Sequence, residues 1–107
     1  MGAAATSEVK EMIQEEQGLS GFAQKFRESG LDEQVSSWIS TGQNLPVVGD
    51  QIERALGHDK VERIAAKLGI TTDQAADELA EAVPEVVDEM TPDGQLPTAQ
   101  QSQSPTV

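Results

Sequence analysis

The apolar side chains between Thr72 and Met90 recur at the spacing of an α-helix. Placed at about 100° per residue, they occupy an arc of roughly 160°, and acidic side chains occupy the opposite side. The apolar set is Ala75, Ala76, Leu79, Ala80, Ala82, Val83, Val86, Val87 and Met90. So wide an arc needs more than one partner helix to cover it. We therefore predict that this stretch is the central helix of an all-helical protein.

Three shorter amphipathic stretches come before it, and residues typical of helix ends bound each one. Their apolar sides contain Val9, Met12 and Ile13, then Phe22, Ala23 and Phe26, then Val35, Trp38 and Ile39. The predicted N-caps are Ser7, Ser20 and Asp32, and the predicted stops are Gly18, Gly30 and Gly42. We therefore expect three short helices after a flexible N-terminal segment, residues 1–6.

Two more helices are predicted by capping boxes that follow an irregular link. The link runs from Gln43 to Gly49, because Pro46 cannot continue a helix. A capping box needs an acceptor at the N-cap and a Glu or Gln three residues later. The two boxes are Asp50 with Glu53 and Asp59 with Glu62, and the stops that follow them are Gly57 and Gly69. Each segment is predicted to be a short helix with its apolar side inward.

The C-terminal third contains further signals of helix ends. Thr71 or Thr72 is predicted to cap the central helix, and Pro84 within it predicts a kink or a break into two helices. The run from Thr91 to Gly94 is typical of a turn. Residues 95–107 are rich in Gln, Ser, Thr and Pro and cannot bury enough apolar surface to fold. We expect them to form a disordered tail.

Length and composition fit one small helical domain. The chain has 107 residues with 1 Trp, 2 Phe and no Tyr, so its core volume must come from aliphatic side chains. That composition favours packed helices over a β-sandwich. We predict an all-α fold, a compact orthogonal bundle of about five or six helices formed by residues 7–94. The absence of Cys excludes disulfides and thiolate metal sites.

The charge balance limits the classes of partner. The chain carries 19 acidic and 7 basic residues, a formal net charge of −12, which repels phosphate backbones and anionic lipid surfaces. Every Lys and Arg lies at or before Lys67, so a basic partner would meet the acidic C-terminal part. No apolar run approaches a membrane span, and the N-terminus lacks a signal-peptide pattern. We expect a cytoplasmic monomer or weak homo-oligomer with an unidentified protein partner, no cofactor and no membrane, and the charge disfavours a nucleic-acid partner.

An ordered set of short motifs carries a resemblance to a known family. The motifs are Val35 to Pro46, Gln51 to Gly57, Leu68 to Ile70, Val83 to Asp88 and Thr91 to Gly94. In this order they resemble the YidB-like family of bacterial proteins over residues 18–96. The resemblance implies a compact, multi-helical bacterial domain and implies no activity, cofactor or site residue. The N-terminal stretch departs from the family pattern, because similar proteins carry a longer helical lead.

The stretch covering residues 61–79 has the spacing of a helix-turn-helix pair, with Ala65 followed by Gly69 four residues later. A helix that reads DNA needs Arg, Lys, Asn or Gln in its first turns. This helix would instead present Asp73, Asp77 and Glu78, which phosphates repel. Because of these acidic residues, a structural helix pair is the preferred interpretation of the stretch. Accessory nucleic-acid binding is kept as the alternative function.

Carboxylates on the central helix also invite a metal or acid–base interpretation. Helical di-iron sites pair a Glu with a His three residues on, but the one His, His58, lies outside this helix. We therefore expect a solvated acidic face, with weak divalent-ion binding as the alternative, and predict no metal site. No nucleophile or phosphate-loop motif accompanies His58, so we predict that the protein is not an enzyme.

Two surfaces are candidates for binding a protein partner, namely the loop after the third helix and the acidic face of the central helix. The candidate residues are Trp38, Gln43, Asn44 and Pro46 for the loop and Asp77, Glu81 and Glu85 for the acidic face. Trp38 would form one edge of a groove, although a core position is the simpler interpretation for it. The leading hypothesis is a non-enzymatic, acidic helical module for protein interaction.

Overall fold

The computed structural model describes residues 2–40, 42–92 and 94, and this part of the chain contains six α-helices and no β-strand. The helices are α1 Gly2–Glu15, α2 Leu19–Glu28, α3 Asp32–Ile39, α4 Gly49–Leu56, α5 His58–Leu68 and α6 Thr72–Glu89. The predicted all-α fold class is confirmed. No helix among the described residues is both long enough and apolar enough to cross a membrane.

The longest helix, α6, lies at the centre of the bundle, as its wide apolar arc predicts. It packs against α1, α3, α4 and α5, and its contact with α1 is the most extensive. Leu79, Val83 and Val86 are buried, whereas the acidic residues on the opposite side face solvent or lie half-buried at its edge. One helix thus supplies both the inner wall of the core and an acidic outer surface.

The first helix begins earlier than the sequence predicts. Helix α1 starts at Gly2, so Ser7 is a position within the helix and not its N-cap. Ala5 is fully buried and continues the apolar stripe of Val9, Met12 and Ile13 by one turn toward the N-terminus. The expectation of a flexible segment through residue 6 is therefore wrong from Gly2 onward, because packing on α6 orders the Ala-rich start.

Most predicted N-caps are displaced by one or two residues. Helix α4 begins at Gly49, and its preceding residue, Val48, donates its N–H to Oε1 of Gln51 at 3.0 Å. Helix α5 begins at His58, so the predicted boxes at Asp50 and Asp59 are wrong. Both aspartates lie in the first turn of their helix, where a negative charge still interacts favourably with the helix dipole. Helices α2 and α3 likewise begin after Gly18 and Leu31 rather than after Ser20 and Asp32.

The cap of α6 is confirmed as Thr71. Its Oγ1 accepts the N–H of Gln74 at 3.1 Å, and Oε1 of Gln74 accepts the N–H of Thr71 at 3.1 Å. These reciprocal bonds form a complete capping box. The turn that ends α5 places Gly69 in the left-handed region, with φ of 74°, and returns the chain to start α6.

Helix α6 runs through Pro84 as a single element, so of the two predicted outcomes, a kink or a break into two helices, the break is wrong. Pro84 is buried, and its missing N–H leaves the carbonyl of Ala80 without its usual helical donor. The turn predicted after the helix is confirmed by the bond from the N–H of Gly94 to the carbonyl of Thr91 at 3.0 Å. The tail predicted for residues 95–107 lies outside the described residues.

Candidate interaction surfaces

The loop between α3 and α4 is attached to α3 by two hydrogen bonds to one residue, Leu45. Nε1 of Trp38 donates to the carbonyl oxygen of Leu45 at 2.7 Å, and Oγ of Ser37 accepts the N–H of Leu45 at 2.8 Å. Trp38 is 1% exposed and packs edge-on against Phe26, with ring centroids 5.7 Å apart. Trp38 is thus a core residue that anchors the loop through its indole N–H. Its side chain has no exposed surface for a partner to contact.

The loop presents both polar and aliphatic side chains to solvent. Gln43, Asn44 and Pro46 are exposed, as are Leu45 at 44% and Val48 at 58%. Sequence reasoning did not select Leu45 or Val48. The sequence nevertheless indicates that both side chains are exposed, because large aliphatic residues beside a proline in an irregular link have no helix face to bury them. Their backbone is nevertheless fixed, since Leu45 is bonded to α3 and Val48 to Gln51.

The acidic face of α6 carries charges that no cation of the described chain neutralises. Asp77, Glu81 and Glu85 are all exposed. Within residues 2–40, 42–92 and 94, no ion pair involves an acidic residue of α6. The cations of the ion pairs are Lys25, Arg27, His58, Lys60 and Lys67, and their partners lie on α1, in the turn that follows α1, on α3 and on α4. The α6 face is therefore a local excess of negative charge.

The loop and the acidic face meet at Gly49, the first residue of α4. A Cβ atom at Gly49 would lie 2.8 Å from Oδ1 of Asp77 and 3.2 Å from Cβ of Ala76. Since Val48 precedes Gly49 directly, the end of the loop backbone lies next to Asp77. The loop and the acidic face, which the sequence keeps separate, thus adjoin at Gly49. We call the two together the loop–α6 surface, and it consists of Leu45, Val48, Asp77, Glu81 and Glu85.

The α5–α6 pair has the order and turn of a helix-turn-helix, but its charges oppose phosphate binding. The first turns of α6 expose Asp73, Gln74 and Asp77, two carboxylates against one amide. On α5, Lys60 and Lys67 form ion pairs with glutamates of α1 and are not free to bind phosphate. This pair is consistent with a structural role in the bundle.

An open groove of about 560 Å³ separates α1 from α5, with Met12 and Ile64 among its lining residues. Ion pairs span it at both ends. Nζ of Lys60 lies 2.9 Å from Glu15, and Nζ of Lys67 lies 3.1 Å from Glu8 and 3.4 Å from Glu11. Hydrogen bonding to Lys60 lowers the pKa of Glu15, and hydrogen bonds to the two glutamates raise the pKa of Lys67. The groove is thus bridged by the protein's own charges.

His58 begins α5 and pairs with the preceding helix. Its Nδ1 lies 2.8 Å from Oε1 of Glu53, and this hydrogen bond raises the pKa of His58 above its ordinary value of 6.5. Asp50 and Arg54 line the same shallow depression. Among the described residues, no group of three or more His, Cys, Asp or Glu side chains is arranged to hold a metal ion.

Comparison with a known structure first identifies the class of fold to which this protein is similar. The chain superposes with a TM-score of 0.74 on a solved structure described as a homeodomain-like protein of unknown function, S4005 from Shigella flexneri. The match is 31% identical and covers 85% of this chain and 73% of that one. The protein thus shares an all-α fold with a structure of the homeodomain-like class.

The family follows from the sequence itself. A model of the YidB-like protein family matches residues 1–99. The uncharacterized protein YidB of Escherichia coli (strain K12) is 35% identical over 85 residues, which are 78% of this chain and 64% of that protein. The chain belongs to the YidB-like family, and the resemblance in the sequence motifs is confirmed. The match spans less than two thirds of the curated relative.

Proposed function

We propose that this protein is a non-enzymatic protein-interaction module of the bacterial cytoplasm, and that the loop–α6 surface binds its partner. One observation carries the proposal. Leu45 and Val48 are exposed at 44% and 58%, and their backbone is held in place by Trp38 and Ser37 at Leu45 and by Gln51 at Val48. Aliphatic side chains on a fixed backbone lose little conformational freedom when they bind, so more of their burial energy contributes to affinity.

The non-enzymatic part of the proposal is supported by the chemistry of the available side chains. The one histidine, His58, lies on the surface and is engaged by Glu53. Catalytic constellations instead place a base against a nucleophile or an electrophilic group in a concave site. The carboxylates of the loop–α6 surface lie on a convex helix face. Such a face suits contact with another macromolecule better than enclosure of a small substrate.

Affinity capture with the full chain tests the proposal. Leu45→Ser combined with Val48→Ser removes the aliphatic contact without touching the hydrogen bonds of the Leu45 backbone. The matched control is Met90→Ser, because Met90 is the other large apolar residue of the described chain that is clearly exposed, at 38%. We expect the double variant to lose the proteins that the wild type captures and the control to retain them. Capture of the same proteins by all three chains would refute the proposal.

Nucleic-acid binding is the second candidate function, and the α5–turn–α6 arrangement favours it. The exposed Asp73 and Asp77 at the start of α6 weigh against it, because each would approach a phosphate uncompensated. A gel-shift titration with mixed-sequence duplex DNA at low salt separates the two candidates. No complex is expected at micromolar protein. A submicromolar complex would replace the protein-interaction proposal with the nucleic-acid one.

A further inference from the structure

We infer that the partner of the loop–α6 surface is a positively charged protein segment that also carries aliphatic side chains. This inference rests on the proposed function and adds the chemistry of the partner. It follows from three observations: the aliphatic end of the loop, the unpaired acids of α6 and the contact that joins them at Gly49.

The first step concerns charge. The six ion pairs within the described part of the chain all lie outside α6, and they engage acids such as Glu15, Glu16 and Glu53. Helix α6 contains no Lys or Arg, so its exposed carboxylates have no cation on their own helix. A second copy of this chain, docked face to face, would set like charges against one another. Complementarity therefore requires a basic partner.

The second step concerns the arrangement of the contacts. Because Asp77 adjoins the backbone of Gly49, a cation paired with Asp77 lies one residue along the chain from the exposed Val48. Glu81 and Glu85 follow at intervals of about 6 Å along the helix axis. Basic side chains four apart on a helix, or two apart in an extended segment, have nearly the same spacing. The surface thus fits a segment that begins with an aliphatic anchor and continues with regularly spaced Lys or Arg.

Three synthetic peptides of equal length supply the probes. The first combines Lys at alternate positions with Leu, the second replaces each Leu by Gln, and the third replaces each Lys by Glu. Each is titrated into the full chain by fluorescence anisotropy at about 50 mM and about 300 mM salt, because screening weakens exposed ion pairs. We expect the Lys/Leu peptide to bind about tenfold more tightly than the Lys/Gln peptide and to lose affinity at high salt, with no binding of the Glu/Leu peptide.

Matched charge variants locate the binding surface. Glu81→Lys with Glu85→Lys reverses the acidic face, and Glu28→Lys with Glu62→Lys makes the same change of net charge at exposed positions on α2 and α5. We expect the first pair to weaken Lys/Leu binding by about tenfold or more and the second by less than about threefold. Equal weakening by both pairs would overturn the inference, because the peptide would then respond to net charge alone.

The outcomes separate this inference from the proposed function. If captured partners depend on Leu45 and Val48 but are indifferent to salt and to the Glu81 and Glu85 changes, the basic-partner inference fails and the interaction module stands. If Leu45→Ser with Val48→Ser leaves capture unchanged, the proposed function itself fails. Binding of the Glu/Leu peptide as tight as that of the Lys/Leu peptide would also overturn the inference.

Discussion

Trp38 links the hydrophobic core to the candidate binding loop through a single side chain. Its ring packs against Phe26 inside the bundle, while its Nε1 holds the carbonyl of Leu45. A buried indole usually needs a partner for its N–H, so the loop backbone satisfies a requirement of the core. In return, the core fixes the position of the exposed Leu45 side chain. At the scale of residues, one side chain thus serves both the stability of the core and the position of the candidate loop.

Trp38→Phe tests this coupling. Phe keeps an aromatic ring in the core but removes the donor to Leu45 and leaves unfilled volume. We expect the free energy of unfolding to fall by about 1–3 kcal/mol in urea denaturation. The control, Ser37→Ala, removes the second bond to Leu45 without a core cavity and should cost about 1 kcal/mol. A Trp38→Phe protein as stable as the wild type would show that the indole bond is dispensable.

Gly21 is required by the close approach of α2 to the end of α1. A Cβ atom at this position would lie 2.0 Å from the backbone carbonyl oxygen of Glu16, which cannot move as a flexible side chain can. We expect Gly21→Ala to lower the free energy of unfolding by about 1–3 kcal/mol, although Ala favours helices more than Gly does. Ser36→Ala, an exposed change in α3, should stay within about 0.5 kcal/mol of the wild type. Stabilisation by Gly21→Ala would contradict the close contact.

At the scale of elements, periodicity predicts the helices well and their starts poorly. The apolar arc of α6 and its cap at Thr71 are correct because a long arc and a Thr-x-x-Gln box are strong local signals. The start of α1 is missed because Gly2 is not a polar cap, and burial of Ala5 against the bundle decides it. The starts of α4 and α5 are missed because an aspartate is favourable both as an N-cap and in the first turn of a helix. The sequence alone therefore does not decide which of these positions Asp50 and Asp59 occupy.

The candidate site is likewise predictable from the sequence only in part. Exposure of Asp77, Glu81 and Glu85 is predictable from helical spacing alone. The contact of Gly49 with Asp77 is not predictable, because it depends on how α4 packs across α6. Sequence reasoning could therefore name two candidate surfaces but could not find that they adjoin.

The α4–α5 corner provides a pH-dependent contact between elements. Hydrogen bonding to Glu53 raises the pKa of His58 in the folded protein above 6.5. The stabilisation is therefore complete below the unfolded pKa of about 6.5 and disappears as pH rises through the folded pKa. We expect the melting temperature of the wild type to exceed that of Glu53→Gln near pH 6, and the difference to disappear as pH rises through the raised pKa of His58.

NMR titration of the His58 ring checks the cause directly. The pKa of His58 should be raised in the wild type and return toward 6.5 in Glu53→Gln. Lys67→Gln, which removes a distant ion pair with Glu8 and Glu11, serves as the control and should leave the His58 titration unchanged. An unaltered pKa in Glu53→Gln would rule out the Glu53 contact as its origin.

At the scale of the whole molecule, charge is distributed unevenly. Lys60 and Lys67 of α5 pair with acids of α1, and Lys25 and Arg27 of α2 pair with Glu16 and Asp32. The outer side of α6 keeps its negative charge within a chain of net charge −12. Repulsion among these carboxylates opposes the folded state, and exposed ion pairs offset it only weakly.

Added salt should therefore stabilise this protein. We expect the melting temperature to rise between about 20 mM and about 200 mM sodium chloride, because screening reduces repulsion among the carboxylates. Differential scanning calorimetry measures the shift. The Glu28→Lys, Glu62→Lys variant, with less net negative charge, should show a smaller rise. A melting temperature that falls with salt would mean that the ion pairs outweigh the repulsion.

The double attachment of Leu45 to α3 constrains how this protein can diversify. An insertion or deletion between Ser40 and Val48 would move the Leu45 backbone away from the indole and leave a donor in the core unsatisfied. Substitutions at Gln43, Asn44 or Pro46 carry no such penalty, because their side chains point into solvent. The side chains at these three positions can thus be exchanged without loss of the attachment to α3, provided that the length of the segment stays constant.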